Sequence, residues 1–372
     1  VEVPNKSAAI VRLGTLLGLQ DFAKMGPLTF VLGRDVTGEP IYTDIEKMPH
    51  LLIAGATGSG KSVAIHAMII SLLYRNSPDT LKFIMIDPKR VELSIYNGIA
   101  HLIAPVVTEG KKSISVFRWA ISEMERRYEV LQGAGVRDIK SYNKGDKEPL
   151  PYIVIVIDEL ADLMAAYGRE IETSIVRLAQ MARATGIHLI LSTQRPSVEV
   201  ITGLIKANIT ARVALQVASQ IDSRTILDMA GAEKLLGGGD MLFVSSEFSK
   251  PKRIQGAYIS EEEIREVSDF IMENNTTVPE DTAAATATLD AITRDDNRIQ
   301  IENPMKGSMS FDDVPSDDGD ELYDDAVQVV VEAKKASASL LQRRLKVGYA
   351  RAARLLDIME EKSVIGPGDG AK

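Results

Sequence analysis

The feature that most constrains this chain is a glycine-rich run between an apolar segment and a helix-like one. Residues 50–62 place the pattern Gly-x-x-x-x-Gly-Lys-Ser directly after a strand-like stretch. Glycines let backbone N–H groups approach phosphate closely, Lys61 can reach the β- and γ-phosphates, and the Ser62 hydroxyl can ligate Mg²⁺. The helix that follows directs its positive N-terminal end at the same anion.

The sequence therefore predicts a P-loop for ATP and Mg²⁺, with a chance glycine-rich turn as the alternative. The predicted cofactor-binding residues are Gly55, Ala56, Thr57, Gly58, Ser59, Gly60, Lys61 and Ser62.

A second motif lies about a hundred residues further along the chain. Residues 151–157 are a near-continuous β-branched run, typical of a strand buried on both faces of a parallel sheet, and Asp158 and Glu159 follow directly. In phosphoryl transfer one acid at this place holds Mg²⁺ and another orients or deprotonates the attacking water. We expect Asp158 to hold the metal with Ser62, and Glu159 to be the catalytic carboxylate. The alternative is that both acids only decorate a helix N-terminus, which favours negative charge.

The fold class predicted from the pattern of segments is α/β. Apolar segments alternate with helix-like ones, as expected for βα units around a mainly parallel sheet. The predicted strands are 51–54, 83–86, 152–157, 188–192, 211–217 and 241–244.

Composition narrows the class of protein. The chain has 372 residues, enough for two or three domains, and the absence of cysteine excludes disulfides, thiolate zinc sites and cysteine nucleophiles. No apolar run reaches the roughly 18 residues of a membrane span, and no signal-peptide pattern is present, so we expect a cytoplasmic chain. The start at Val1 leaves room for a membrane anchor in a longer natural protein. A net charge of -9 means that any nucleic-acid binding must be local.

The composition also predicts four segments. Residues 1–49 hold a short helix-like stretch and two strands around a turn, which indicates a small accessory lobe, and residues 50–275 form the ATPase domain. Residues 276–318 are rich in Thr, Ala, Asp and Ser, as in a flexible linker. Residues 319–372 regain helical periodicity in three short segments and close on a Gly-Pro-Gly turn, which predicts a winged helix-turn-helix domain.

Basic side chains crowd the turn and the third helix of that last domain, where DNA phosphates and base edges would lie. We predict that Arg343, Arg344, Arg351 and Arg354 bind DNA. A three-helix bundle with a solvated basic face is the alternative.

Several segments together resemble the FtsK/SpoIIIE family of bacterial DNA translocases. They are residues 48–52, 55–62, 86–89, 123–128, 157–163, 192–197, 200–208 and 221–228. Residues 336–357 and 365–367 are similar to the family's γ domain, a winged helix. The resemblance implies an α domain in residues 1–49 and a RecA-like β domain in residues 50–275.

The resemblance also implies a function. Such motors work as homo-hexameric rings around double-stranded DNA with ATP between subunits, in chromosome segregation and cell division. The γ domain would read sequence and set direction, and a site-specific recombinase or division proteins would be partners. Two other classes stay open: a protein-secretion ATPase of the same superfamily, and a non-catalytic, nucleotide-gated DNA-binding module.

The resemblance assigns roles to residues that the motifs alone leave open. Gln194 would sense the γ-phosphate, with a strand-end cap as the alternative. Arg183 would be the arginine finger that reaches a neighbour's ATP, with an ordinary surface arginine as the alternative. Arg195, Lys206 and Arg224 would line the central channel and contact DNA phosphates, unless they are ordinary exposed charges.

Overall fold

The computed structural model describes residues 9–145, 148–248 and 250–275, and six isolated positions further on: Ala326, Val327, Val329, Val330, Arg344 and Met359. The chain divides into two units, Val1–Asn303 and Pro304–Lys372. The predicted linker 276–318 lies outside the described residues, as do Arg343, Arg351 and Arg354 and most of the predicted winged helix. Arg344 is helical and exposed. The four predicted domain boundaries therefore stay predictions.

The described residues form one sheet of nine strands. The strands are β1 (Thr29–Asp35), β2 (Pro40–Asp44), β3 (His50–Ala54), β4 (Leu81–Ile86), β5 (Tyr152–Ile157), β6 (Ile187–Thr193), β7 (Ala211–Leu215), β8 (Asp240–Val244) and β9 (Lys252–Gly256). Their order is β2-β1-β9-β8-β7-β3-β6-β5-β4. The half from β7 to β4 is parallel, and the pairs from β7 to β2 are antiparallel. All six strands predicted for the ATPase domain are confirmed, with ends that differ by at most two residues.

Helices cover both faces of this sheet. They are α1 (Leu13–Leu17), α2 (Gln20–Ala23), α3 (Lys61–Arg75), α4 (Gly110–Gly133), α5 (Ile139–Asn143), α6 (Leu160–Met181), α7 (Gly203–Asn208), α8 (Gln220–Leu227) and α9 (Glu261–Asn274), with 3₁₀ turns at Leu93–Tyr96 and Ala232–Lys234. α6 is kinked at Tyr167, whose backbone is not helical. Within the described ranges no helix is long and apolar enough to cross a membrane.

Alternate strand residues point into two cores, one on each face. Leu51 and Ile53 of β3 pack with α3, whereas Leu52 of the same strand packs with α4 and α6. Burial on both faces explains why β5 is apolar at every position. The α6 face made by Ile171, Ile175, Leu178 and Ala182 is buried against the second core.

The first residues of the described chain join the same sheet. β1 pairs with β2 on one side and with β9 on the other, and the Val31 N–H donates to Ser71 Oγ of α3 at 3.3 Å. The two strands predicted for the accessory lobe therefore extend the edge of the ATPase sheet and share its first core.

Candidate nucleotide-binding site

The glycine-rich run forms the strand–loop–helix arrangement that the sequence predicts. The loop leaves β3, which lies between β6 and β7, and α3 begins at Lys61. Gly60 has a φ of 100°, and a Cβ at this position would lie 2.6 Å from the amide nitrogen of Gly239. The loop can close this tightly only because the residue is glycine. Its amides lie at the N-terminus of α3, the usual place for phosphate.

Lys61 is buried and contacts the acid after β5. Its ammonium donates to Asp158 Oδ1 at 2.7 Å, to the Asp158 carbonyl at 2.9 Å and to Ser192 Oγ at 3.0 Å. The other carboxylate oxygen, Asp158 Oδ2, is buried and has no hydrogen-bond partner. A buried carboxylate oxygen without a partner is costly, so this atom fits a cation ligand. Ser62 and Asp158 would hold Mg²⁺ here, as the sequence predicts.

Glu159 is fully buried and is surrounded by donors. It accepts from Thr193 Oγ1 at 2.6 Å, from the Gln194 N–H at 3.2 Å and from Lys89 Nζ at 3.1 Å. Burial raises the pKa of Glu159, but these three donors outweigh it and leave the pKa below its usual value. The carboxylate is therefore ionised at neutral pH, as a group that orients or deprotonates water must be.

Gln194 connects the two sides of the site. Its side-chain Oε1 accepts from Thr57 Oγ1 of the P-loop at 2.9 Å, while its backbone N–H donates to Glu159. Gln194 thus contacts both the loop that would cradle phosphate and the carboxylate that would face water. Its neighbour in the chain is Arg195.

The sequence prediction missed two charged residues at the site, Lys89 and Glu92. Both lie on the segment that follows β4, whose first residue, Asp87, is fully buried. The Asp87 carboxylate accepts from four backbone N–H groups, those of Lys89, Arg90, Glu92 and Leu93, at 2.9–3.1 Å. Because Asp87 orders this segment, Lys89 reaches Glu159 and Glu92 reaches Ser62. The available signal was an acid directly after a buried strand that neighbours β5, the same signal that identifies Asp158.

Glu92 accepts a hydrogen bond from Ser62 Oγ at 2.6 Å, and its other oxygen lies 3.7 Å from His66 Nε2. His66 is the largest influence on the Glu92 carboxyl and Ser62 adds to it, so the pKa of Glu92 is lowered to about 2 despite its partial burial. His66 also contacts the Tyr96 hydroxyl, at 2.9 Å from its Nδ1.

Arg183 lies away from this cluster. It follows α6, is exposed, and stands just before β6 begins at Ile187. The P-loop and Gln194 lie at the opposite, carboxyl ends of β3 and β6, which run parallel. Seven residues of strand span about 20 Å at about 3.3 Å each, so Arg183 does not share a site with the P-loop of its own chain.

The three residues predicted to contact DNA phosphates differ in their surroundings. Arg195 and Arg224 are exposed, and the Arg195 guanidinium lies 3.8 Å from Asp162. Lys206 of α7 instead donates to Asp228 at 2.7 Å, and Asp228 also binds Arg212. The charge of Lys206 is thus already compensated within the protein.

A P-loop at the carboxyl end of a parallel sheet, with an Asp-Glu pair after the neighbouring strand, defines a P-loop nucleoside triphosphatase. Residues 20–198 match the model of the FtsK/SpoIIIE family, and residues 317–372 match that of the Ftsk gamma domain. The chain belongs to the FtsK/SpoIIIE family. The second match assigns a winged helix to the C-terminal segment, so the predicted fold class is confirmed.

Similar proteins include "DNA translocase FtsK" of Caldanaerobacter subterraneus subsp. tengcongensis, which is 52% identical over 374 residues, covering all of this chain and 50% of that protein. "DNA translocase SpoIIIE" of Bacillus subtilis is 49% identical over 385 residues, covering all of this chain and 46% of that protein. The chain therefore spans about half the length of the curated relatives it matches.

Among solved structures, the conjugation coupling protein TcpA of pCW3, in its monomer form with ATPgS, superposes with a TM-score of 0.62 at 29% identity, over 72% of this chain and 75% of TcpA. The cytoplasmic domain of the Thermomonospora curvata Type VII secretion ATPase EccC superposes with a TM-score of 0.61 over 71% of this chain and 34% of EccC. Its identity is 24%, so this likeness concerns the fold alone.

Proposed function

We propose that this chain is the motor and DNA-reading part of an ATP-driven translocase of double-stranded DNA, and that it is a DNA-dependent ATPase. One observation carries the proposal: Gln194 and Arg195 are adjacent in the chain. Gln194 contacts the P-loop and Glu159, and Arg195 is exposed, where it can contact a DNA phosphate. Relatives about 50% identical to the chain are named DNA translocases, which supports the same function.

The catalytic proposal assigns each step to residues of the site. Lys61 leaves Asp158 to contact the β- and γ-phosphates, and this frees the Asp158 carboxylate for the metal. Ser62 and Asp158 would hold Mg²⁺, which would supply positive charge to neutralise the phosphates. Glu159 orients the attacking water and accepts its proton, because its lowered pKa keeps it ionised.

Coupling to DNA would follow from Gln194. A change at the γ-phosphate alters the contact between Gln194 and Thr57, and the next peptide carries that change to Arg195. Contacts with phosphate give affinity that does not depend on base sequence, which a motor on generic duplex needs. Because Asp228 already compensates Lys206, Arg195 and Arg224 would carry more of the phosphate contact.

Assembly would complete the site. Arg183 lies at the opposite strand ends from the P-loop, so as a finger it serves the ATP of another copy. A head-to-tail interface that joins two different edges of the same chain is heterologous, and repetition of such an interface closes into a ring when the rotation between copies divides a full turn. The proposed state is a homo-hexamer around DNA.

The C-terminal winged helix would set direction by reading DNA sequence, in chromosome segregation at division. The match of residues 317–372 to the gamma domain supports this reading over a protein-secretion ATPase.

The proposal is tested by the ATPase rate of the full chain with and without double-stranded DNA, together with the mass of the complex formed on DNA. We expect duplex to stimulate hydrolysis and to assemble six copies, and we expect Lys61→Ala to abolish the stimulated rate. A rate that duplex leaves unchanged would contradict the translocase assignment.

A further inference from the structure

We infer that Arg127 and Tyr128 of α4 are positioning residues for Arg183, and that they fix the backbone from which Arg183 reaches the ATP of a neighbouring subunit. The inference rests on the proposed trans role of Arg183. It states that α4, a helix that does not itself enter the nucleotide site, holds Arg183 in place for that role.

Hydrogen bonds hold the loop between α6 and β6 at every carbonyl from residue 181 to residue 185. The donors to these successive carbonyls are Tyr128 Oη at 2.6 Å, Thr185 Oγ1 at 2.9 Å, the Gly186 N–H at 3.3 Å, the Ile139 N–H at 2.9 Å and Arg127 Nη1 at 2.9 Å. Two of the five come from α4 and one from α5. The backbone is therefore fixed on both sides of Arg183 by elements that are distant in sequence.

The burial of Arg127 indicates that its contact with the loop is specific. Its side chain is 2% exposed, and its Nε donates to Glu123 Oε1 at 2.7 Å while Nη1 donates to the Thr185 carbonyl. A buried ion pair is often no more stabilising than an apolar pair of the same volume. Stability alone therefore does not require an arginine here, whereas the planar guanidinium joins α4 to the loop in a fixed geometry.

The Arg183 side chain is arranged differently from its backbone. It is exposed, and among the described residues it forms no hydrogen bond or ion pair. Its charge acts on His50 and His188, which are buried, and mainly their burial lowers the pKa values of these histidines to about 3 and about 4. Both rings are neutral at pH 7, so they do not pair with the guanidinium. A fixed backbone with an unpaired cation suits a group that must meet a phosphate of another subunit, because a misplacement of about 1 Å can cost about a hundredfold in rate.

Two substitutions test this assignment in the full chain. Tyr128→Phe removes only the hydroxyl that donates to the Met181 carbonyl, and Arg127→Lys keeps the positive charge beside Glu123 but loses the fork that reaches Thr185. We expect each to lower kcat by about tenfold, with the KM for ATP changed by less than about twofold, because the P-loop is untouched. Tyr74→Phe is the matched control, since Tyr74 is exposed and its hydroxyl has no partner in the described part of the chain.

Mixing subunits separates positioning from general damage. Arg183→Ala mixed with Lys61→Ala should recover activity, because some interfaces join an intact P-loop to an intact finger. Tyr128→Phe mixed with Lys61→Ala should recover activity in the same way, whereas Tyr128→Phe mixed with Arg183→Ala should not exceed Tyr128→Phe alone.

The outcomes distinguish the two proposals. If Arg183→Ala and Lys61→Ala form mixed rings that stay inactive, the trans role of Arg183 fails and this inference fails with it. If Arg183→Ala and Lys61→Ala recover activity together, the trans role stands. The positioning role of α4 is then overturned by either of two results: Tyr128→Phe and Arg127→Lys both keep the parent rate, or they recover activity when mixed with Arg183→Ala and not when mixed with Lys61→Ala.

Discussion

At the scale of single residues, the contact between Ser62 and Glu92 orients the hydroxyl that we propose as a ligand of Mg²⁺. Because the Ser62 hydroxyl donates its hydrogen to Glu92, the lone pairs on Ser62 Oγ are left for a cation. Glu92 is ionised at neutral pH, since its pKa is lowered to about 2, and it adds negative charge behind the ligand. Outer partners of this kind tune metal affinity strongly.

We predict that Glu92→Ala weakens the response to Mg²⁺. The magnesium concentration that gives half-maximal binding of a fluorescent, non-hydrolysable ATP analogue should rise by about 10–100-fold, because Ser62 loses its hydrogen-bond acceptor. Glu159→Gln is the control and should keep the parent magnesium dependence while losing most turnover, since Glu159 faces water and not the metal. An unchanged magnesium titration in Glu92→Ala would exclude this role for Glu92.

Sequence reasoning found the residues of the site that lie within a motif and missed those that the fold brings there. Lys61, Ser62, Asp158 and Glu159 are recognised because their spacing is dictated by phosphate chemistry. Glu92 stands six residues after Ile86, the last residue of β4, and only the four hydrogen bonds to Asp87 bring it to Ser62. No periodicity in the sequence encodes that turn.

At the scale of elements, two histidines mark the beginnings of β3 and β6. His50 Nδ1 accepts from the Leu189 N–H at 3.2 Å, and His188 Nδ1 lies 3.0 Å from the Pro49 carbonyl, which it can contact only as a donor. Both Nε2 atoms are buried without a hydrogen-bond partner. Burial is the main cause that lowers the pKa of His188, and Arg127 and Arg183 add to it, whereas the Pro49 carbonyl and the Glu46 carboxylate oppose it. Both side chains are thus neutral parts of the sheet at pH 7.

We predict that these histidines make the protein less stable as pH falls below 6.5. In the unfolded chain a histidine takes up a proton near pH 6.5, whereas in the fold His188 does so only near pH 4, so the unfolded state binds more protons between these values. The free energy of unfolding should therefore decrease in that window by up to about 1.4 kcal/mol per pH unit for each such histidine. Urea unfolding of His188→Asn, which can still donate to Pro49, should show a shallower dependence on pH than the parent. Tyr74→Phe should keep the parent slope, and an equal slope in His188→Asn would contradict the prediction.

The parallel half of the sheet was predictable and the antiparallel half was only partly so. β3, β5 and β6 are buried at every position, and apart from His50, His188 and the Ser192-Thr193 end of β6 they read as apolar runs. β9 has the sequence Lys-Arg-Ile-Gln-Gly, in which Ile254 is the one fully buried side chain with a large apolar surface. Its pairing with β1 and β8 comes from the fold and not from its own composition.

At the scale of the whole molecule, the residues of the nucleotide site and the phosphate contacts proposed for the motor, Arg195, Lys206 and Arg224, all fall within the first of the two units. We predict that removal of residues 319–372 preserves ATP hydrolysis stimulated by generic duplex, because contacts with phosphate carry no sequence information. Directional bias on duplex of asymmetric sequence should disappear. Lys61→Ala in the truncated chain is the control for hydrolysis, and loss of stimulation in a folded truncation would show that the C-terminal unit belongs to the motor.

The placement of Arg183 and the P-loop at opposite strand ends gives each subunit a front and a back. In the proposed head-to-tail ring, the P-loop side of each subunit would face the Arg183 side of the next one. A head-to-tail succession of this kind has one sense of circulation. In the proposed ring, the catalytic site of each subunit would contact the Arg183 of one neighbour only. The order in which subunits hydrolyse ATP around the duplex would therefore be clockwise or anticlockwise, as the structure of the chain dictates.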